Sequence, residues 1–180
     1  GVDFNDRASY QRYGNGVSLE DWRRSNVTAF VKTISFGIKK LKPWVQFGIS
    51  PFGVWRNQTM DPKGSETYGT SNYDDLFADP IDWMNNNWID YIIPQLYWSI
   101  DHKTASYAKL MKWWSENVPS NTALYIGNSS YKIRSDSDKR WNNVYEIPNQ
   151  IDFARNYPNV HGNGYFSAKW FINKNQDVVK

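Results

Sequence analysis

The sequence predicts an α/β fold in which about four parallel βα units form part of a (β/α)8 TIM barrel. Three observations carry that expectation. Short apolar runs begin near residues 44, 89, 122 and 162, and helical patterns fill the intervals between them. The second run, about Ile89 to Tyr97, holds continuous rather than alternating apolar residues, as strands covered on both faces do. The spacing of the four runs, about 33 to 45 residues, suits successive right-handed βαβ crossovers. A complete barrel takes roughly 250 residues, so the 180 residues here hold about half of one, as a single domain.

Each element has its own signal. Ser18 followed by Glu20 and Asp21 marks a helix start, with a hydroxyl cap and acid in the first turn, where the helix dipole favours it. Trp22, Val27, Phe30, Val31, Ile34, Ile38 and Leu41 keep helical spacing until Pro43 stops the pattern. Lys39, Lys40 and Lys42 read as a solvated helix end. WVQFGIS at 44–50 reads as a strand, closed by PFG at 51–53. The Gly-, Ser- and Thr-rich stretch from Asn57 to Asn72 is too polar to pack and too long for an ordinary connector, which makes it a functional or a mobile loop.

YDDLF at 73–77 and then Asp79-Pro80 predict two short helical turns, the second with Asp as cap and Pro in the first position. The next strand runs from about Ile89 to Tyr97. Tyr107, Leu110, Met111 and Trp114 mark a helix ended by Pro119, and ALYIG at 123–127 a third strand. A helix from Ile147 to about Tyr157 is entered through Pro148, and GYFSA at 164–168 supplies a fourth strand. Residues 1–17 read as a leading loop in which Gly1 fits a tag remnant, and residues 18–180 as the domain.

Composition excludes several classes. Lys and Arg number 21 against 18 Asp and Glu, an excess too small and too scattered to argue for nucleic acid or an anionic membrane surface. With no cysteine there is neither a disulfide framework nor a thiolate metal site. His102 and His161 lack the spacing of a metal pair, and neither a nucleophile elbow nor a phosphate loop is present, so no metal or cofactor is expected. No apolar run is long enough to span a membrane, and no leader opens the sequence. The aromatic content of 10 Trp, 12 Tyr and 9 Phe is high. Some of these rings are expected to face a cleft, where flat rings stack on sugars or bases, and the low positive charge favours sugars.

Four blocks together carry a family resemblance: DWRRSNV at 21–27, FGISPFGVWRN at 47–57, YDDLFADPIDW at 73–83 and WIDYIIPQLYW at 88–98. The pair Trp113-Trp114 and YIGNSSYKI at 125–133 fit the same pattern. The chain resembles the bacterial glycosyl hydrolase-like TIM-barrel family of the YngK and YddW type, formerly a domain of unknown function. That resemblance implies the carboxyl-terminal half of the family barrel, from the helix after its fourth strand through its eighth. It implies an envelope, periplasmic or secreted enzyme acting on bacterial glycans, with denuded peptidoglycan strands the best-described substrate of one branch. The family's paired-acid motif at the end of the fourth strand has no counterpart here, so this part alone is expected to be inactive.

In parallel barrels the reacting groups sit at strand carboxyl ends and on the loops that follow. That rule selects Ser50, Trp55 and Arg56 after the first strand, Gln95, Tyr97 and Trp98 after the second, and Asn128 and Tyr131 after the third. Arg23 and Arg24 open a helix near the same face. Arg offers a fork for oxygens and Trp a stacking platform, so these residues are the substrate-binding candidates for a glycan or oligosaccharide. Packing competes with that role for every Trp, and ion pairing for Arg23 and Arg24. Glycoside hydrolysis needs two carboxyl groups flanking the bond, and only Asp101 lies close enough after Trp98 to be a catalytic candidate. Asp74 and Asp75 read as helix-start acids, and Asp90, at the other strand end, as structural. Four strands of an eight-strand barrel leave two open edges, from which self-association is expected.

Overall fold

The computed structural model describes residues 5–172. Gly1, read as a tag remnant, and residues 173–180 of the expected domain lie outside that range. In chain order the elements are α1 (Arg7–Tyr13), α2 (Leu19–Leu41), β1 (Gly48–Ile49), α3 (Pro80–Asn85), β2 (Tyr91–Ile92), α4 (Tyr107–Asn117), β3 (Ala123–Asn128), α5 (Glu146–Ala154), β4 (Val160–Tyr165) and α6 (Lys169–Ile172). The strands form one sheet in the order β1-β2-β3-β4, every neighbouring pair parallel. Four parallel strands alternating with helices make an α/β fold consistent with part of a TIM barrel, and all four carboxyl ends meet on one rim.

Helix starts follow their caps. Ser18 Oγ accepts from the Asp21 N–H at 3.1 Å, and Asp79 accepts from the Asp82 N–H with Pro80 opening α3. Three segments differ from expectation. Residues 7–13 form a helix rather than a loop, held against α2 by Tyr10, whose ring lies 5.6 Å from that of Trp22. YDDLF is a set of turns, because the Asp75 carboxylate accepts from both the N–H and the hydroxyl of Ser71 and closes the chain locally. The fourth strand spans Val160–Tyr165 rather than residues 164–168, since β3 pairs with it from Leu124 to Asn128 and overrides the weak strand propensity of its Gly and Asn residues.

The first two strands are short for a reason visible in their prolines. Pro94 has no N–H to donate, so the β2 ladder stops and resumes at Gln95, which bridges to Phe52 on one side and Gly127 on the other. Gly48 on β1 lies beneath the ring of Tyr91, where a Cβ would approach ring carbons to 2.3 Å. Only glycine fits that contact.

The core lies between sheet and helices. Ile92, Leu96, Leu124 and Ile126 are fully buried against Tyr107, Leu110, Met111 and Trp114 of α4, whose spacing of three, four and seven residues puts them on one helix face. Burial of each such side chain contributes about 1.5 to 3 kcal/mol. Trp114 also donates from Nε1 to the Gly53 carbonyl at 2.7 Å, tying α4 to the segment after β1. A second, smaller core of Ile133, Trp141 and Ile147 sits beneath the β3–α5 connection. Tyr91, Ile93 and Tyr125 occupy the opposite, half-covered face of the sheet.

Candidate functional site

The amino and carboxyl ends of the strands are built for different tasks. At the amino end Asp90 accepts from Lys39 Nζ at 2.7 Å and from the Phe47 N–H at 2.7 Å, which gives it the structural role expected. Lys39 is therefore part of a strand anchor and not of a solvated helix end. At the carboxyl end Gln95 donates from Nε2 to the Ser50 carbonyl at 3.1 Å, while Ser50 Oγ donates to the Ile93 carbonyl at 2.8 Å. These two candidates lock β1 and β2 together where the strands open onto the rim.

Beyond them stands an aromatic platform. The Tyr97 ring stacks on Phe166 with centroids 6.2 Å apart and 28° between planes. Tyr131 meets Tyr97 edge-on at 6.2 Å and Phe166 at 6.1 Å, and Trp170 lies 6.5 Å from Tyr131. Tyr97 and Tyr131 are half-buried, whereas Phe166 is 59% exposed. Burial, and then the neighbouring Tyr131, push the Tyr97 hydroxyl above its ordinary value, so it stays protonated and can donate a hydrogen bond. The arrangement offers apolar ring faces with phenolic donors at their margins, which suits a ligand with apolar faces and hydroxyl edges.

Other candidates serve the scaffold. Arg23 forks Asp6 at 2.7 and 2.9 Å and lies over Phe77. That hydrogen bond holds the Asp6 carboxyl below the ordinary range. Arg24 pairs with Asp21 at 2.5 Å and donates to the Tyr73 carbonyl. Trp55 is buried, stacked 5.6 Å from Trp113, and donates from Nε1 to Asp79. Arg56 forks Asp74 and reaches Asp61, and hydrogen bonding to Asp74 raises its already high pKa further. Trp98 packs edge-on to Phe52 at the margin of the core. Asn128 is fully buried and points toward the helices, where Nδ2 donates to Gln150 Oε1 at 3.0 Å. Alternation along β3 turns Asn128 to packing, and nearby carboxylates engage Arg23, Arg24, Trp55 and Arg56.

The loop from Asn57 to Asn72 is ordered against α4. Trp113 Nε1 donates to the Lys63 carbonyl at 2.8 Å, the Tyr68 N–H to Thr104, and the Asn72 carboxamide to Phe52 and Val54 carbonyls. Polar side chains here satisfy backbone groups and replace an apolar core. Asp101 is exposed in the turn after β2, and His102 Nδ1 accepts from the Ala105 N–H. A cavity of about 420 Å³ between α1, α2 and Leu76–Phe77 shares no residue with the platform. Among the described residues no cluster of three His, Asp or Glu could hold a metal ion, and no helix is long and apolar enough to cross a membrane.

Phe166 and Trp170 escaped the sequence reading because Phe166 lay inside a segment read as strand. The chain's register on β3 puts Phe166 just past the strand end, its N–H donating to the Asn128 carbonyl at 3.0 Å. Gln150 and Glu146 were also missed, although two polar residues on the apolar face of α5, beside Ile147 and Ala154, were the available signal.

Comparison with known proteins agrees with this architecture. The family model described as Glycosyl hydrolase-like 10 matches residues 1–143. The chain is 47% identical over its whole length to Glycosyl hydrolase YngK of Bacillus subtilis, of which it covers 36%. It is 39% identical to Glycosyl hydrolase DigH of Escherichia coli strain K12 over 98% of its own length and 42% of that protein, and equally to DigH of Shigella flexneri. The chain thus spans about two fifths of the length of these curated relatives. The parallel sheet, the shared rim and these matches lead to one assignment: the chain belongs to the Glycosyl hydrolase-like 10 family.

Proposed function

We propose that the chain is the substrate-binding half of a glycan-hydrolysing barrel, and that the full-length protein cleaves bacterial glycan, with peptidoglycan glycan strands the substrate of choice. The observation that carries this reading is the Tyr97–Phe166 stack, flanked by Tyr131 at the carboxyl ends of three parallel strands. Sugar rings present an apolar face to such a surface and hydroxyls to its phenolic margin. A catalytic carboxyl pair in the spacing that glycoside hydrolysis requires is assigned to sequence outside this chain, and Asp101 stays an untested candidate. The site of action is the cell envelope or beyond, where such glycans are.

A second reading, a non-catalytic carbohydrate-binding module, rests on the platform itself, a set of rings that can hold a sugar without cleaving it. The two readings separate in one experiment: full-length protein and this chain are each incubated with purified glycan strands and scored for binding and for new reducing ends. Hydrolysis by the full-length protein alone supports the division of labour; equal turnover by both refutes it. Binding by both without cleavage supports the module.

Self-association is a further part of this reading. Among the described residues β1 and β4 each have a single neighbour, and Phe30, Leu41 and Trp44 are 67%, 79% and 73% exposed around α2. An isolated chain with such edges is expected to pair with a second copy. Light scattering that returns the monomer mass at high concentration would contradict it.

A further inference from the structure

A buried amide cluster joins the two strand ends that carry the platform. Gln150 of α5 is fully buried, and its side chain makes three hydrogen bonds. Nε2 donates to the Trp98 carbonyl at 3.0 Å and to Glu146 Oε1 at 3.1 Å, and Oε1 accepts from Asn128 Nδ2 at 3.0 Å. Glu146 Oε1 in turn accepts from the Ile100 N–H at 2.7 Å, and the Gln150 backbone carbonyl accepts from the Tyr107 hydroxyl. One carboxamide therefore ties the chain leaving β2 to the end of β3.

The same two strand ends carry the platform. Tyr97 directly precedes Trp98, whose carbonyl is held. The Asn128 carbonyl accepts from the Phe166 N–H, and Ser130 Oγ donates to the Phe166 carbonyl at 3.0 Å, so Phe166 is gripped from both sides by the segment that Asn128 opens. Tyr131 follows Ser130 in that segment. We propose that Gln150 is the positioning residue of the aromatic platform: it fixes the spacing between the Tyr97 segment and the Tyr131–Phe166 segment without touching the ligand. An amide is the one neutral side chain that can donate to a carbonyl and a carboxylate while accepting from a second amide. Leucine would take the donor from the Trp98 carbonyl and the Gln150 acceptor from the buried Asn128 Nδ2.

This inference rests on the glycan-binding reading for its ligand, but its geometric part does not. The test uses the intact protein in three forms: wild type, Gln150→Leu and Gln150→Glu. Ring contacts are read by nuclear Overhauser effects between selectively labelled Tyr and Phe, and ligand binding by calorimetry with a tetramer of β-1,4-linked N-acetylglucosamine. The Tyr97–Phe166 contact is expected to vanish in Gln150→Leu while the folded chain keeps its Tyr107–Phe153 contact in the core. Affinity should fall about tenfold, the scale of one lost buried hydrogen bond. Gln150→Glu keeps the shape but faces Glu146 with a like charge, so its affinity should recover as pH falls and the new carboxyl gains a proton to donate. Wild type should show no such recovery, and a merely structural role would shift melting without that pH profile. A folded Gln150→Leu that retains the Tyr97–Phe166 contact overturns the inference whether or not the sugar binds. Wild type that shows the contact but binds no glycan overturns the functional reading and leaves the positioning role standing.

Discussion

Arg56 forks both carboxylate oxygens of Asp74, at 3.0 Å from Nε and 2.7 Å from Nη2, across 18 residues of chain. With Nη1 on Asp61 at 2.9 Å and the guanidinium 4.3 Å from the Tyr73 ring, one side chain closes the long loop at both ends. Its geometry is bidentate and partly shielded, the kind of ion pair that does contribute to stability.

Arg56→Leu should therefore lower unfolding stability by about 2 to 3 kcal/mol, because two carboxylates lose their partner. Arg56→Lys should recover only part of it, since a point charge cannot fork. Urea unfolding at pH 7 checks both, and a midpoint unchanged in Arg56→Leu would rule out the clamp.

Acid should weaken the β3–α5 connection. For Asp138, burial acts to raise the carboxyl, but hydrogen bonds from Ser99 Oγ and from the Arg140 N–H and guanidinium outweigh it and hold it below the ordinary range. A depressed folded value means the unfolded chain binds the proton more tightly. The stability it contributes is present above the unfolded value near pH 3.9 and is lost as pH falls through the lower folded one. Asp138→Asn should be less stable than wild type at pH 7, and the gap should narrow by about pH 3. Urea midpoints at the two pH values test it; a gap constant with pH would be the contrary result.

Gly53 is a second point of strict fit. A Cβ there would stand 2.4 Å from the Gln95 carbonyl oxygen and 2.7 Å from Trp98 Cζ3. Gly53→Ala must push apart the segments after β1 and β2, at a cost of about 1 to 3 kcal/mol. Thermal melting reads it, and an unchanged midpoint would show that this approach is looser than described.

These relationships mark the limit of what the sequence conveys. The parallel order of four strands was legible because continuous apolar runs and helical spacing report on burial, a property each residue carries locally. Ser50, Gln95, Tyr97 and Tyr131 were found at the rim because they follow strand ends. Trp55, Arg56 and Asn128 met the same criterion yet are engaged by scaffold partners. Trp55 found Trp113, 58 positions on, and Arg56 found Asp74, neither of which a local pattern can supply. Phe166 was hidden because a strand register depends on its neighbour, and the polar β4 had little intrinsic preference to announce where it ends.

The aromatic platform is tested by one calorimetric titration of purified peptidoglycan glycan strands into the intact protein and into its Tyr97→Ala/Phe166→Ala double variant. Loss of both rings should weaken binding at least about fivefold, since each ring stack contributes about 0.5 to 1.5 kcal/mol beyond its buried area, with circular dichroism unchanged. Equal affinity in the two proteins would contradict the platform as the glycan site.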